Sequence, residues 1–206
     1  GGNPSIGEEL AERFRDAGHL VITTSHLPSR ALRLLDMLFT TWTCRKKFQA
    51  SYVEIYSGAA FIWAEIVCKL LDVLQKPYVL ALHGGNLPDF ARRWPKRVER
   101  LFTGAVVVTA PSRYLLEKMR LYRNDIRLIP NPIELGLYSF RLRSNLNPGL
   151  VWLRAFHNIY HPQMAPLVVS NLRKSFSNIK LTMIGPDKGD GTLQETQTAI
   201  EQLNLQ

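Results

Sequence analysis

Arg154 stands where a short apolar run, residues 150–153 (LVWL), gives way to a polar loop holding His157 and His161. A second strand-like stretch, residues 180–184 (KLTMI), stops at Gly185-Pro186-Asp187-Lys188. A guanidinium makes bidentate contacts with phosphate oxygens and neutralises charge developing on a phosphate leaving group. A cation and a glycine-bearing turn at the carboxyl ends of successive strands form the crevice in which α/β sheets hold phosphorylated ligands. Gly185 and Asp187 are therefore candidate nucleotide contacts, with a plain β-turn as the other reading, and His157 or His161 is a candidate partner of Arg154. No cysteine or carboxylate complements Arg154, His157 and His161, so no metal site is expected.

The first two-thirds of the chain carries further candidates. His83-Gly84-Gly85-Asn86 closes the apolar run PYVLAL. A histidine at the carboxyl end of a strand faces the ligand crevice, and glycines after it let a ligand approach closely. His83 is read as a hydrogen-bond donor or proton carrier to a substrate oxygen, with Gly84 and Asn86 lining the cleft; the alternative is a histidine that only holds the loop. Asp89 either orients a substrate or caps the next helix. Ser112, after AVVVTAP, and Asn131, after RLIP, lie at comparable strand ends. Capping accounts for Ser112 equally well, and turn formation for Asn131. Gly1-Gly2-Asn3-Pro4-Ser5 leads into a helix whose positive N-terminus suits a phosphate or a sugar hydroxyl. An ordinary cap is the other reading, and the pattern is not a dinucleotide fingerprint.

These residues need a scaffold of alternating elements. Helical patterns are expected over residues 5–17, 29–42, 59–74, 89–102 and 112–121. Strands are expected at 19–24 (HLVITT), 52–56, 77–83, 105–109 and 126–129. Strands separated by helices imply parallel βαβ crossovers. Residues 131–149 break the alternation and read as a linker, after which a strand–helix–strand–helix run begins. The expected organisation is an acceptor-side Rossmann-like domain over 1–147 and the start of a second Rossmann-like domain over 148–206. The first domain opens without the strand that such domains begin with, and the second is short of a full sheet. The chain is accordingly expected to be an excerpt of a longer protein.

Composition narrows the classes. Apolar residues make up 46% and charged residues 21% of the 206, which permits a sizeable core. Cys44 and Cys68 lie in helical apolar patterns and are expected as buried free thiols in a reducing compartment. No apolar segment reaches the roughly 20 residues a bilayer span requires. The net charge of +9 is concentrated in residues 1–147, where 21 Lys/Arg face 13 Asp/Glu (+8), against 5 and 4 in residues 148–206 (+1). Basic clusters sit at Arg45-Lys46-Lys47 and over residues 92–100 (RRWPKRVER). Such faces suit anionic lipid, a phosphorylated substrate or nucleic acid, or are simply solvated.

In this order, Gly-Gly before the first helix, AGHLVITT, LHGG, VVVTAPSRYLLEKM, IRLIPNPIE, the strand ending in Arg154 and LTMIGPDKGDG resemble the retaining GT-B glycosyltransferases of family 4 (glycosyl transferases group 1), which build cell-wall, capsule and glycolipid sugars. The resemblance covers essentially the whole chain. It implies a GT-B fold of two Rossmann-like domains, acceptor binding by the first and a nucleotide-sugar donor held mainly by the second. By position it places Gly1 and Gly2 near the donor phosphates, His83 on the transferred sugar and Arg154 on the departing diphosphate. It implies no metal and no other cofactor. The acceptor is a saccharide or lipid-linked sugar, with an anionic membrane surface as a further partner and no nucleic acid. The implied location is cytoplasmic, peripheral at the inner face of the membrane.

Three departures accompany the resemblance. The usual R-x-x-x-x-K-G lysine is missing from AFHNIYHP, Asn131 is followed by Pro132 rather than glycine, and the E-x7-E donor-gripping segment is expected beyond Gln206. The 206 residues alone are thus expected to be catalytically incompetent, whereas the parent protein is expected to be a transferase. The rival readings are a GT-B sugar-nucleotide epimerase, a nicotinamide oxidoreductase, and a non-catalytic basic module for anionic membrane or RNA.

Overall fold

The computed structural model describes residues 5–24, 27, 29–133, 135–142 and 149–205. The chain forms two compact units, Gly1–Glu134 and Leu135–Gln206. The expected boundary at 147/148 lies outside the described residues.

In the first unit, helices α1 (Ile6–Asp16) and α2 (Arg30–Thr43) precede strand β1 (Ser51–Ile55) and helix α3 (Ala59–Val73). Strand β2 (Tyr78–Leu82), helices α4 (Leu87–Arg93) and α5 (Pro95–Gly104), strand β3 (Val107–Ala110), helix α6 (Arg113–Met119) and strand β4 (Arg127–Leu128) follow. The sheet runs β1-β2-β3-β4, every pair parallel, with Ile55 opposite Leu82, Ala81 opposite Thr109 and Ala110 opposite Leu128. β2 is apolar throughout because both of its faces are covered, with Leu80 and Leu82 fully buried. They join Ile55, Phe61, Leu101 and Phe102 in one core. In the second unit, β5 (Gly149–Leu153) pairs in parallel with β6 (Lys180–Ile184), and α7 (Met164–Leu172) and α8 (Thr192–Gln202) follow the two strands. The result is the expected Rossmann-like α/β arrangement of parallel strands and helices.

The structure departs from the expected elements at two places. Residues 19–24 form no strand; the stretch lies outside both sheets, and Leu20 is 82% exposed. Its β-branched residues Val21, Ile22, Thr23 and Thr24 fit a pleated surface, but a strand exists only where a neighbour completes the hydrogen-bond ladder. Among the described residues β1 has such a neighbour only on its β2 side. The single helix expected over 89–102 is two helices. Pro95 disfavours helical geometry at the residue before it, and Trp94 accordingly takes φ −131°, ψ 53°.

Cys68 is buried and Cys44 half-buried, both as free thiols. Burial pushes the Cys68 thiol up to about 12, with the Asp72 charge adding to the effect. Among the described residues no helix is long and apolar enough to cross a membrane.

Candidate functional site

The first cluster forms at the carboxyl ends of β1 and β2. Strand pleating puts Tyr52, Glu54 and Tyr56 on one side of β1, while Ile55 enters the core. The backbone N–H of His83 donates to the Ile55 carbonyl at 2.8 Å, which carries the ladder one residue past β2. The His83 side chain then has two neighbours. Its ring stacks on Tyr56, centroids 5.1 Å apart and planes 18° from parallel. Its Nε2 lies 3.6 Å from Glu54 Oε1, too far for a hydrogen bond. Both atoms are buried, and among the described residues neither has a hydrogen-bond partner.

An unpaired buried polar atom is costly, and here two of them face each other across 3.6 Å. Helix α1 contributes to it. A β-carbon on Gly7 would approach Glu54 Oε1 to 2.9 Å, so the first turn of α1 lies close against this carboxylate, and a larger residue there would make the Glu54 side chain shift. That turn carries the positive end of the helix dipole, which favours an anion there. Ser5 caps the helix by accepting from the Glu8 amide.

The cluster's titration follows from its burial. Burial pushes His83 below its ordinary imidazole value of 6.5, and the Glu54 carboxylate acts in the raising direction against it. Burial, then the charge of Glu54, raises the Tyr56 hydroxyl and lifts that of Tyr52 to about 12. Replacing Glu54 with glutamine removes the charge that raises His83. His83 in E54Q is expected to titrate lower than in the wild type, read from the pH dependence of its imidazole proton–nitrogen correlations. An unchanged midpoint would show that Glu54 does not act on the ring. A histidine whose folded pKa is depressed contributes stability that is fully present above its unfolded value and lost as pH falls through the folded one. Wild-type stability is therefore expected to fall on acidification below 6.5, and His83→Gln to flatten that fall in pH-dependent urea melts.

The neighbouring candidates keep simpler roles. Gly84 has φ +85°, a left-handed conformation that favours glycine, whereas Asn86 precedes α4 without making a side-chain cap. Ser112 caps α6, its Oγ accepting from the Leu115 amide at 3.3 Å. Asn131 is exposed just past β4, and Asp89 is paired with Arg92. His83, Gly84, Asn86, Ser112 and Asn131 thus all follow carboxyl ends of one parallel sheet. Gly1 and Gly2 lie outside the described residues.

The second cluster is built by the loops after β5 and β6. Arg154 N–H donates to the Ile184 carbonyl at 3.1 Å, and Phe156 N–H to the Pro186 carbonyl at 2.9 Å. Lys188 N–H returns a bond to the Phe156 carbonyl at 3.1 Å. The two loops are thereby zipped together, and Arg154, His157, Gly185 and Asp187 share one small region. The Arg154 guanidinium is exposed and sits 5.2 Å over the Tyr160 ring. Among the described residues it has no carboxylate partner. Gly185 has a packing reason to be glycine, because a β-carbon there would meet the Arg154 carbonyl oxygen at 1.6 Å. Asp187 accepts from the Gly189 amide at 2.9 Å, which is turn chemistry.

Sequence reasoning passed over Glu54 and Asp190. Asp190 accepts from the Asn158 amide at 2.8 Å and from the Thr192 hydroxyl at 2.7 Å, and so ties the β5 loop to the start of α8. These bonds, the Thr192 hydroxyl foremost, hold its carboxyl down to about 2. His157 Nδ1 accepts from the Ile159 amide at 3.2 Å and lies 3.8 Å from Asp190 Oδ2. The signal for Glu54 was a lone acid in the middle of the alternating strand YVEIY. For Asp190 it was an Asp-Gly pair before a helix. Among the described residues no group of three or more His, Cys, Asp or Glu side chains is arranged to hold a metal ion.

Residues 4–137 match the profile of Glycosyltransferase Family 4. No curated protein sequence matches the chain.

Proposed function

The chain belongs to glycosyltransferase family 4, and on that footing we propose that it serves a retaining transferase moving a sugar from a nucleotide-sugar to a cell-envelope, polysaccharide or glycolipid acceptor. The observation that carries the donor side is Arg154: an exposed guanidinium at a strand's carboxyl end, free of carboxylate partners among the described residues and held over Tyr160. A cation with no carboxylate partner among the described residues is available to a diphosphate. In this reading the acceptor hydroxyl attacks the anomeric carbon on the face from which the diphosphate leaves. Arg154 then meets the charge growing on the leaving oxygen, a task for which no metal is required.

His83 is assigned to the transferred sugar, with Glu54 as the residue that orients its ring. Gly1 and Gly2 are assigned to the donor phosphates, Gly185 and Asp187 to the nucleotide side, and His157 to the cleft beside Arg154. Gly84, Asn86, Ser112 and Asn131 line the acceptor side. The excess of cations in residues 1–147 supports work on a lipid-linked acceptor, peripherally at the inner face of the membrane.

The test uses the full protein that carries this chain, incubated with a panel of nucleotide-sugars and lipid-linked or saccharide acceptors. Transfer with retained anomeric configuration, inhibited by the nucleoside diphosphate product, is the expected result. Release of an epimerised free sugar would replace this reading with an epimerase. Failure to bind any nucleotide-sugar would replace it with a basic binding module.

A further inference from the structure

Helix α2 turns Leu32, Leu35, Phe39 and Trp42 outward as one stripe, and Phe39 is 69% exposed. On α3, Ile62, Ile66 and Val73 form a second outward stripe, Val73 at 70% exposure. Residues three and four apart share a helix face, so these exposures follow from the spacing rather than from scattered chance. Between the stripes runs an open apolar groove lined by Leu35, Leu38, Phe39, Trp42, Ile66 and Leu70. An amphipathic surface helix ordinarily turns its apolar stripe inward. Here the outer side is apolar as well, over two adjacent helices, and contiguous apolar surface of this kind marks an interaction face.

The charges around the face select its occupant. Arg30 and Arg33 flank the start of the α2 stripe, Arg45, Lys46 and Lys47 flank its end, and Lys69 stands on the groove wall. The Arg45 guanidinium lies 4.7 Å over the Trp42 ring. The acids of α3 are engaged elsewhere: Glu65 pairs with Arg97, and Asp72 lies at the hydroxyl of buried Tyr78. Leucine, phenylalanine and tryptophan framed by cations are what an interfacial helix presents to anionic lipid. A two-fold contact with a second copy brings the same surface patch against itself, setting this basic fringe against a like fringe.

We propose that the α2–α3 face docks on an anionic bilayer surface, with Leu32, Leu35, Phe39 and Trp42 at the acyl boundary and the basic fringe among the headgroups. The proposal rests on the membrane-surface part of the reading above and gives it a location on the chain. It requires no step of the transfer reaction.

The test is vesicle flotation of the whole chain with phosphatidylcholine vesicles and with phosphatidylcholine–phosphatidylglycerol vesicles. The wild type is expected to float with the anionic vesicles, less so as salt rises, and to leave the neutral ones largely unbound. L35E/F39E, two exposed positions, is expected to weaken that binding by about tenfold or more. K46E/K47E, in the exposed turn after α2, is expected to weaken it without touching the apolar stripe. Circular dichroism melts establish that both variants are folded. Anionic binding by the wild type that neither variant weakens overturns this face while leaving the membrane reading standing. No binding by the wild type overturns both. A dimer in sedimentation equilibrium that L35E/F39E dissociates assigns the face to a second copy and overturns the lipid assignment.

Discussion

Gly185→Ala is expected to unfold the second unit's sheet while leaving the first unit's core intact. The added methyl would lie 1.6 Å from the Arg154 carbonyl oxygen and 2.5 Å from its carbon. Both are backbone atoms, so no side chain can rotate away to make room. Relief demands separating the loops after β5 and β6, which breaks the bonds from Arg154 to Ile184 and from Phe156 to Pro186. Overpacking against backbone costs about 3 kcal/mol or more, a large share of what a two-stranded unit can hold. Hydrogen exchange reads the outcome directly. Amides of β5 and β6 are expected to lose protection while those of β2 and β3 keep theirs. Unchanged protection at Arg154 would show that the two loops yield without cost.

Arg154→Ala is expected to act in the opposite manner, leaving stability nearly unchanged and removing most of the transfer rate. Its guanidinium is exposed and lies 5.2 Å over the Tyr160 ring, an interaction contributing about 0.5–1 kcal/mol at an exposed site. Its proposed role is to meet charge that develops only as the diphosphate departs. Loss of one such donor typically lowers kcat about 10²–10³-fold. R154K keeps the charge and loses the planar fork, so it is expected to recover part of the rate. The measurement is kcat in the full protein alongside its thermal melt. A variant that transfers at the wild-type rate would remove Arg154 from the donor site, whereas one that fails to fold would make it a structural residue.

The fold was readable wherever pattern and environment agree. The unbroken apolar run YVLAL became the central strand β2, and LTMI ran to its end at Ile184 as a strand should. The helix break at Pro95 was also written in the chain, since a proline restricts the residue before it wherever it stands. The stretch HLVITT was not readable in the same way. Its β-branched composition favours a strand, yet pairing is a property of two chain segments, and no single segment specifies its neighbour.

The candidate site divides along the same line. Residue chemistry at strand ends drew attention to His83 and Arg154 without coordinates, because in each parallel sheet the carboxyl ends of the strands share one edge. The sequence was silent on the burial of His83 against Glu54, because their 3.6 Å approach joins residues 29 positions apart through the β1–β2 pairing. It was equally silent on why residue 185 is glycine. A turn and a backbone collision call for the same letter, and only the zipped loops tell them apart. Local stereochemistry and periodicity act over a few residues and are therefore inscribed in the sequence. Burial, orphaned polar atoms and an outward-facing apolar stripe on α2 and α3 depend on which distant segments cover which faces, and these came from the tertiary packing.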